Sequence, residues 1–208
     1  NILSGLKKPS AGRVKIAGKD VTGQGPGSLL KQGLSYIPED RIDEGTVDKF
    51  TVEDNLILKD VTFPEYSNGL FLDFDSIDRK CKELMEYFDI RAPSSKTPLR
   101  NLSGGNIQKL ILARELSRDP TIIVANQPTR GLDVRATEYV RNRLIEARGN
   151  GCAVLLISMK LDEILSLSDR IAVIYEGRIV DIIDREAVDR KELGLMMTGG
   201  REETPKKS

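Results

Sequence analysis

Three apolar runs, Ile122–Ala125, Ala153–Ile157 and Ile171–Tyr175, constrain the fold more than any other feature of this chain. None of them alternates between apolar and polar residues, as a strand with one wet face would. They are separated by helical patterns such as Arg135–Arg148. Continuous apolar strands alternating with helices imply strands buried on both faces, hence a parallel α/β sheet. At 208 residues and about 150 per domain, the chain amounts to about 1.4 domains, one core with an inserted subdomain.

The first half reads differently. Arg13–Ile16 alternates, Ala17–Asp20 reads as a turn, and Leu34–Ile37 is a strand stopped by Pro38. Thr51 caps a helix that runs to Lys59, and Asp75 or Ser76 caps a second one. In that second helix Ile77, Cys81, Leu84, Met85 and Phe88 recur with a helical period, as a core-facing stripe does. A helix at Gly105–Arg118 follows, and Arg178–Ile182 adds a late strand after the turn Glu176-Gly177. The opening residues Asn1–Leu6 resemble the last turn of a helix with a Gly stop. The expectation is that the chain is a fragment. Arg201–Ser208 is polar, contains a Pro and is expected to be disordered.

Composition removes whole classes of function. Lysine plus arginine equal aspartate plus glutamate, 32 each, so no broad basic field exists to hold a nucleic acid. Charged residues make up 31% and imply a well-solvated surface. The longest apolar run, Cys152–Ile157, falls far short of the roughly 20 residues that a membrane-spanning helix needs. Two distant cysteines, Cys81 and Cys152, give neither a metal spacing nor a disulfide framework, which suits a reducing cytoplasm. With no histidine, the chain cannot build a Ser-His-Asp triad, a His-ligated zinc site or a histidine general base.

The chemistry-bearing string is Leu102-Ser103-Gly104-Gly105-Asn106-Ile107-Gln108-Lys109. Ser103 stands at the N-cap position of a helix. Two glycines at its first positions cost about 1 kcal/mol each against alanine. An ordinary cap does not need them. They make sense where a ligand must approach the backbone, because free N–H groups and the positive helix end then form an anion site.

This string resembles the signature motif of the ABC-type ATPases. Asp119-Pro120-Thr121 through Gly131-Leu132-Asp133 is similar to their Walker B strand and D-loop, and Ile157–Glu163 lies where their switch histidine would stand. Ser168–Val173 and Glu176–Val180 resemble the closing strands. Tyr36-Ile37-Pro38-Glu39-Asp40-Arg41 and Pro128-Thr129-Arg130-Gly131 resemble the C-terminal ATPase half of tandem sugar and nucleoside importers, those served by basic membrane lipoprotein binding proteins. The resemblance implies a P-loop NTPase-type parallel sheet, an inserted helical subdomain and a small antiparallel β part near the N-terminus. It divides the chain into 1–48 (β part and start of the core), 49–118 (helical subdomain with the signature), 119–200 (rest of the core) and the tail 201–208.

The departures from the family are equally specific. No Gly-x-x-x-x-Gly-Lys string exists, and the only Gly-Lys pair, Gly18-Lys19, precedes Asp20. By family register the P-loop and its strand would lie upstream of residue 1, so an open apolar sheet surface is expected. Asn126 stands at the Mg²⁺-holding Asp position, and an amide brings no negative charge to a divalent ion. Gln127 stands at the general-base Glu position and cannot take a proton at neutral pH. Met159 replaces the switch His, and Glu39 lies near the Q-loop Gln, adding negative charge where phosphate would lie.

In the family two ATPase domains pair head to tail, each ATP lying between one P-loop and the opposite signature. The resemblance therefore implies a degenerate site on this chain's own strand. It also implies that Ser103, Gly104, Gly105 and Gln108 bind the ATP of a partner domain, with D-loop residues Gly131, Leu132 and Asp133 at the interface. ATP and Mg²⁺ belong to the full assembly. Implied partners are an N-terminal ATPase half or second ABC domain, membrane permease subunits and, indirectly, a substrate-binding lipoprotein; nucleic acid is not among them. The implied location is cytoplasmic, on the inner face of the membrane through the permease. Within residues 50–100, Phe50, Phe63, Tyr66, Leu70 and Phe71 either line a groove for the permease or form subdomain core. A non-hydrolysing regulatory or dimerisation domain is the alternative reading, and the chain alone is expected to be inactive.

Overall fold

The structure is a computed structural model that describes residues 1–199. The tail 201–208, read from the sequence as disordered, lies outside the described residues. The described chain forms two compact units, Asn1–Ile157 and the residues from Ser158 onward. The boundaries inferred after residues 48 and 118 fall inside the first unit, so they mark regions of one body.

The first residues close a Schellman-type turn. Leu6 N–H donates to the Asn1 carbonyl at 3.0 Å and Gly5 N–H to the Ile2 carbonyl at 3.1 Å, with Gly5 at φ +77°. Strand β1 (Lys15–Ile16) then pairs antiparallel with β2 (Lys19–Asp20). The turn is narrower than the sequence suggested: only Ala17 and Gly18 form it, both at positive φ, and Lys19–Asp20 is already the return strand. Helix α1 (Pro26–Lys31) leads through Gly33 into β3 (Leu34–Ile37).

Helix α2 (Val52–Leu56) starts at Thr51, whose hydroxyl accepts from Asp54 N–H while the Asp54 carboxylate accepts from Thr51 N–H, a capping box. Helix α3 (Phe74–Tyr87) is capped by Asp73 and not by Asp75 or Ser76; the Asp73 carboxylate accepts from Ser76 N–H at 3.0 Å. A cap needs its acceptor three residues before the N–H it meets, and Asp73 has that spacing to Ser76. The apolar stripe Ile77, Cys81, Leu84 and Phe88 is buried, as its period requires.

Helix α4 (Gly104–Leu116) is the axis of the unit. Leu110, Ile111, Leu112 and Ala113 are fully buried consecutive residues, so the helix is covered on every side by α2, α3, β3 and the later helix α5 (Val134–Gly149). Each such Leu or Ile contributes about 1.5–3 kcal/mol of burial. Strand β4 (Ile122–Asn126) lies between β3 and β5 (Ala153–Ile157) in a three-stranded parallel sheet. The parallel sheet read from the apolar runs is therefore present. β5 is not covered on both faces, however. It ends the sheet, and Leu155 and Ile157 are 41% and 44% exposed.

The second unit holds α6 (Leu161–Leu167), β6 (Arg170–Tyr175), β7 (Arg178–Asp184) and α7 (Arg190–Met197). Here the expectation for Ile171–Tyr175 fails. It pairs antiparallel with β7 as a two-stranded hairpin and is not a buried parallel strand. Glu176 and Gly177, both at positive φ, supply the tight turn that dictates this pairing. Burial along β6 alternates, with Ile171 and Val173 covered by Leu193 and Met196 of α7.

Candidate functional site

Two corners of the first unit carry the residues singled out by sequence. The first is the N-terminus of α4. Ser103 is exposed, and its hydroxyl oxygen accepts from Asn106 N–H at 3.4 Å and from the Asn106 amide Nδ2 at 3.1 Å. Asn106 is held in turn, since its Oδ1 accepts from Arg91 N–H at 3.0 Å. Both contacts use Ser103 as an acceptor, so its own O–H proton is available to a ligand. The amides of Gly104 and Gly105 belong to the set that no helix satisfies internally. Ser103, Gly104 and Gly105 thus present three donors at a positive helix end.

Gln108 is different. It is 2% exposed and its Nε2 has no hydrogen-bond partner among the described residues. It lies beneath the corner and not on its surface. The helix spacing puts it on the core side, five residues past the cap.

The second loop at this corner runs through Gly131, Leu132 and Asp133. Gly131 has φ +65°, a conformation that side chains rarely adopt. Leu132 packs on the core. The Asp133 carboxylate accepts from Ala136 N–H at 2.8 Å and so caps α5, which the sequence comparison with D-loops had not anticipated. Gly105 faces Ala136 at the start of α5; a Cβ on Gly105 would come to 3.3 Å from the Ala136 Cβ. The two helix starts are therefore packed against each other.

Two strings distant in sequence meet here. Glu39 forms an ion pair with Arg130, and Arg41 Nη1 donates to the Arg130 carbonyl at 2.7 Å. The negative charge of Glu39, expected to face phosphate, is compensated by a cation of the same chain. Asp40, between them, accepts from Asp43 and Ile42 N–H, and these bonds hold its carboxyl below the usual range.

The second corner is the end of β4. The Asn126 side chain lies near the Tyr36 hydroxyl on β3, whose pKa is pushed up by burial and drawn down less strongly by Asn126. Gln127 follows at φ +49° with its N–H on the Ile157 carbonyl at 2.8 Å. A non-glycine residue there stores strain of order 1–3 kcal/mol, typical of functional positions. The neutral amides of Asn126 and Gln127 offer oxygen ligands but bring no negative charge to Mg²⁺. Among the described residues no group of three or more acidic or cysteine ligands converges. Met159 belongs to the second unit and is 81% exposed.

At the far end of α4 from Ser103, against Ser35 and Tyr36 of β3, lies a buried charge cluster that sequence reasoning missed. Glu115 is fully buried; Lys59 Nζ donates to both its oxygens at 2.6 and 2.7 Å, and Arg114 Nε donates at 3.0 Å. Tyr36 N–H donates to Glu115 Oε2 and the Ser35 hydroxyl to its carbonyl, so the cluster ties β3 to α4. Burial lowers the pKa of Lys59, and the neighbouring Glu115 carboxylate opposes that shift. A Lys, an Arg and a Glu in otherwise apolar surroundings were the only available signal. A cavity of about 680 Å³ opens at the opposite end of the strands, near Thr121 and Cys152, and holds none of these residues.

With this geometry in place, the family follows from a match of residues 1–130 to the family model described as ABC transporter. The chain belongs to the ABC transporter family of ATP-binding proteins. It is 46% identical over 95% of its length to the nucleoside import ATP-binding protein NupA of Lactococcus lactis, and 43% identical over 98% to the glucose import ATP-binding protein TsgD13 of Haloferax volcanii. The guanosine import ATP-binding protein NupO of Bacillus subtilis is 42% identical over 95%. The chain spans only 39%, 37% and 39% of these relatives. Among solved structures, a nucleotide-free ATP-binding cassette of an ABC transporter matches 95% of the chain and 78% of its own at TM-score 0.70 and 21% identity. An ADP-bound cassette matches 95% and 77% at TM-score 0.69 and 20% identity. These likenesses establish the ABC cassette fold. No helix among the described residues is long and apolar enough to cross a membrane.

Proposed function

We propose that this chain is the ATP-binding half of an ABC importer for simple sugars or nucleosides. It supplies Ser103, Gly104 and Gly105 to the ATP held by a partner ATPase domain, while its own strand-end site, at Asn126 and Gln127, is degenerate. The observation that carries this reading is the exposed Ser103 with its free O–H, followed by two glycines with unpaired amides. Those donors suit the terminal phosphate of a nucleotide, where preorganised N–H and O–H groups stabilise developing charge. Gln108 supports the motif from below. Gly131, Leu132 and Asp133 would meet the partner domain, and residues of 50–100 a permease. Tyr66 is buried core, whereas Leu70 and Phe71 are 85% and 70% exposed on a turn and are available to such a partner. A substrate-binding lipoprotein would act through that permease, placing the chain at the cytoplasmic face of the membrane.

At the other corner the residues hold shape and do no acid–base chemistry. Asn126 brings no charge, and Gln127 can orient a water but not deprotonate it. This favours the second reading, a non-hydrolysing half, which is compatible with the first if the partner domain hydrolyses. The test is ATP turnover of the complete importer. Replacing Ser103 with Arg is expected to lower turnover by about 100-fold or more, as removal of a transition-state donor does. Gln127→Ala is expected to leave it within about twofold, since an amide supplies no base. Full turnover with Ser103→Arg would exclude the signature role, and loss of turnover with Gln127→Ala would show a working site on this side.

A further inference from the structure

Arg41 lies where three segments of the first unit meet. Its Nη1 donates to the Arg130 carbonyl at 2.7 Å and its Nη2 to the Gly131 carbonyl at 3.4 Å. On the other side the guanidinium lies along Gly104: a Cβ on Gly104 would stand 3.4 Å from both Nε and Nη2. A Cβ on Gly131 would come to 3.3 Å from Nη2. The two glycines, one opening α4 and one at φ +65° in the loop before α5, thus flank a single planar group. A Cβ on Gly104 would touch it at ordinary contact distance, and one on Gly131 would crowd it.

The backbone of Arg41 is fixed as firmly. The Thr46 hydroxyl donates to the Arg41 carbonyl at 2.9 Å. Glu44 and Gly45 N–H both donate to the Asp40 carbonyl, and the Asp40 carboxylate accepts from Ile42 and Asp43 N–H at 2.9 Å each. Gly45 packs so closely that its Cβ would lie 2.8 Å from the Arg41 carbonyl oxygen and from Ile111 Cδ1 of α4. The loop is therefore anchored to α4 at one end while its guanidinium grips the 130–131 carbonyls at the other.

We propose that Arg41 is a positioning residue that holds the loop Gly131–Asp133 in register with the N-terminus of α4, so that the two meet a nucleotide-bearing partner as one surface. This deepens the signature role proposed above and rests on it. The requirement is for the guanidinium fork and not for charge alone. A lysine ammonium is a point donor that can reach one carbonyl but cannot fill the flat space between two glycines.

The test compares Arg41→Ala and Arg41→Lys with the unchanged chain by amide hydrogen exchange, then by ATP turnover of the complete importer. In Arg41→Ala the amides of Arg130, Leu132 and Ala136 are expected to exchange about tenfold faster or more, a local opening, while those of β3 and β4 keep their rates. The Gly104 amide resonance is expected to shift in the same variant. Arg41→Lys is expected to recover only part of the protection. In the importer both variants are expected to lower kcat for ATP with KM changed by less than about twofold, because the interaction aids the reacting state. Unchanged exchange in the 130–136 segment, loosening spread over β3 and β4, or local loosening with full turnover would each overturn the proposal. Failure of the signature role is read separately, from full turnover in Ser103→Arg, and leaves the exchange result standing on its own.

Discussion

The start of α4 and the end of β4 are both braced by the short segment Tyr36–Arg41, yet their polar groups are turned in opposite directions. At α4, the Ser103 hydroxyl accepts from Asn106 and keeps its own proton to donate, and Arg41 clamps the neighbouring loop beside Gly104. At β4, Asn126 lies near the Tyr36 hydroxyl, and Gln127 is held in a strained backbone conformation with a neutral side chain. The two corners differ in which hydrogen-bonding valences the chain itself leaves unused, and the proposed binding role of the α4 corner rests on that difference.

The largest expected effect removes the carboxylate that ties β3 to the C-terminal turn of α4. Glu115→Ala leaves the buried Arg114 and the partly exposed Lys59 without their counter-charge, at a cost of about 3–5 kcal/mol. Urea denaturation should show the drop, because β3 and the end of α4 are tied through that residue. A stability change below about 1 kcal/mol, the range of an exposed pair, would mean the cluster is better solvated than its burial indicates.

Two glycine substitutions sharpen the contrast within the α4 corner. Gly131→Ala forces alanine into a left-handed conformation beside Arg41 and should cost about 1–2 kcal/mol. Gly104→Ala meets Arg41 only at ordinary contact distance and gains helix propensity, so stability should be unchanged or rise by up to about 1 kcal/mol. Turnover of the complete importer should nevertheless fall, since the added methyl obstructs approach to the backbone. Thermal melts beside turnover measurements separate the two; a Gly104→Ala variant both more stable and fully active would remove the reason for that glycine.

The smallest effect probes β4. Asn126→Asp replaces a donor amide with a carboxylate beside the Tyr36 hydroxyl, where Glu44 and Glu39 already disfavour the phenolate. The Tyr36 pKa, already raised by burial, should move further up, because a nearby negative charge opposes ionisation. An ultraviolet titration of the folded chain checks the sign; a downward shift would show that Asn126 does not face the hydroxyl.

Much of this was legible in the residues alone. The apolar runs of β4 and β5 gave the parallel sheet, and the Ser103-Gly104-Gly105 cap gave the helix start. These follow from local rules: strand periodicity and capping spacing. The hairpin of β6 and β7 was missed because an apolar run does not state its partner, and the turn Glu176-Gly177 outweighed it. Asp73, not Asp75, caps α3 because the structure selects one of several acceptors with similar local sequence.

The sequence by itself determined which side chains could act: no histidine, no carboxylate at 126 or 127, a hydroxyl and two glycines at 103–105. Only the tertiary structure decided where they act. It set Glu39 against Arg130, placed Arg41 between Gly104 and Gly131, and buried Glu115 beneath Tyr36. Each of these contacts joins residues far apart along the chain, and their pairing depends on how β3, α4 and β4 pack, which no local pattern encodes.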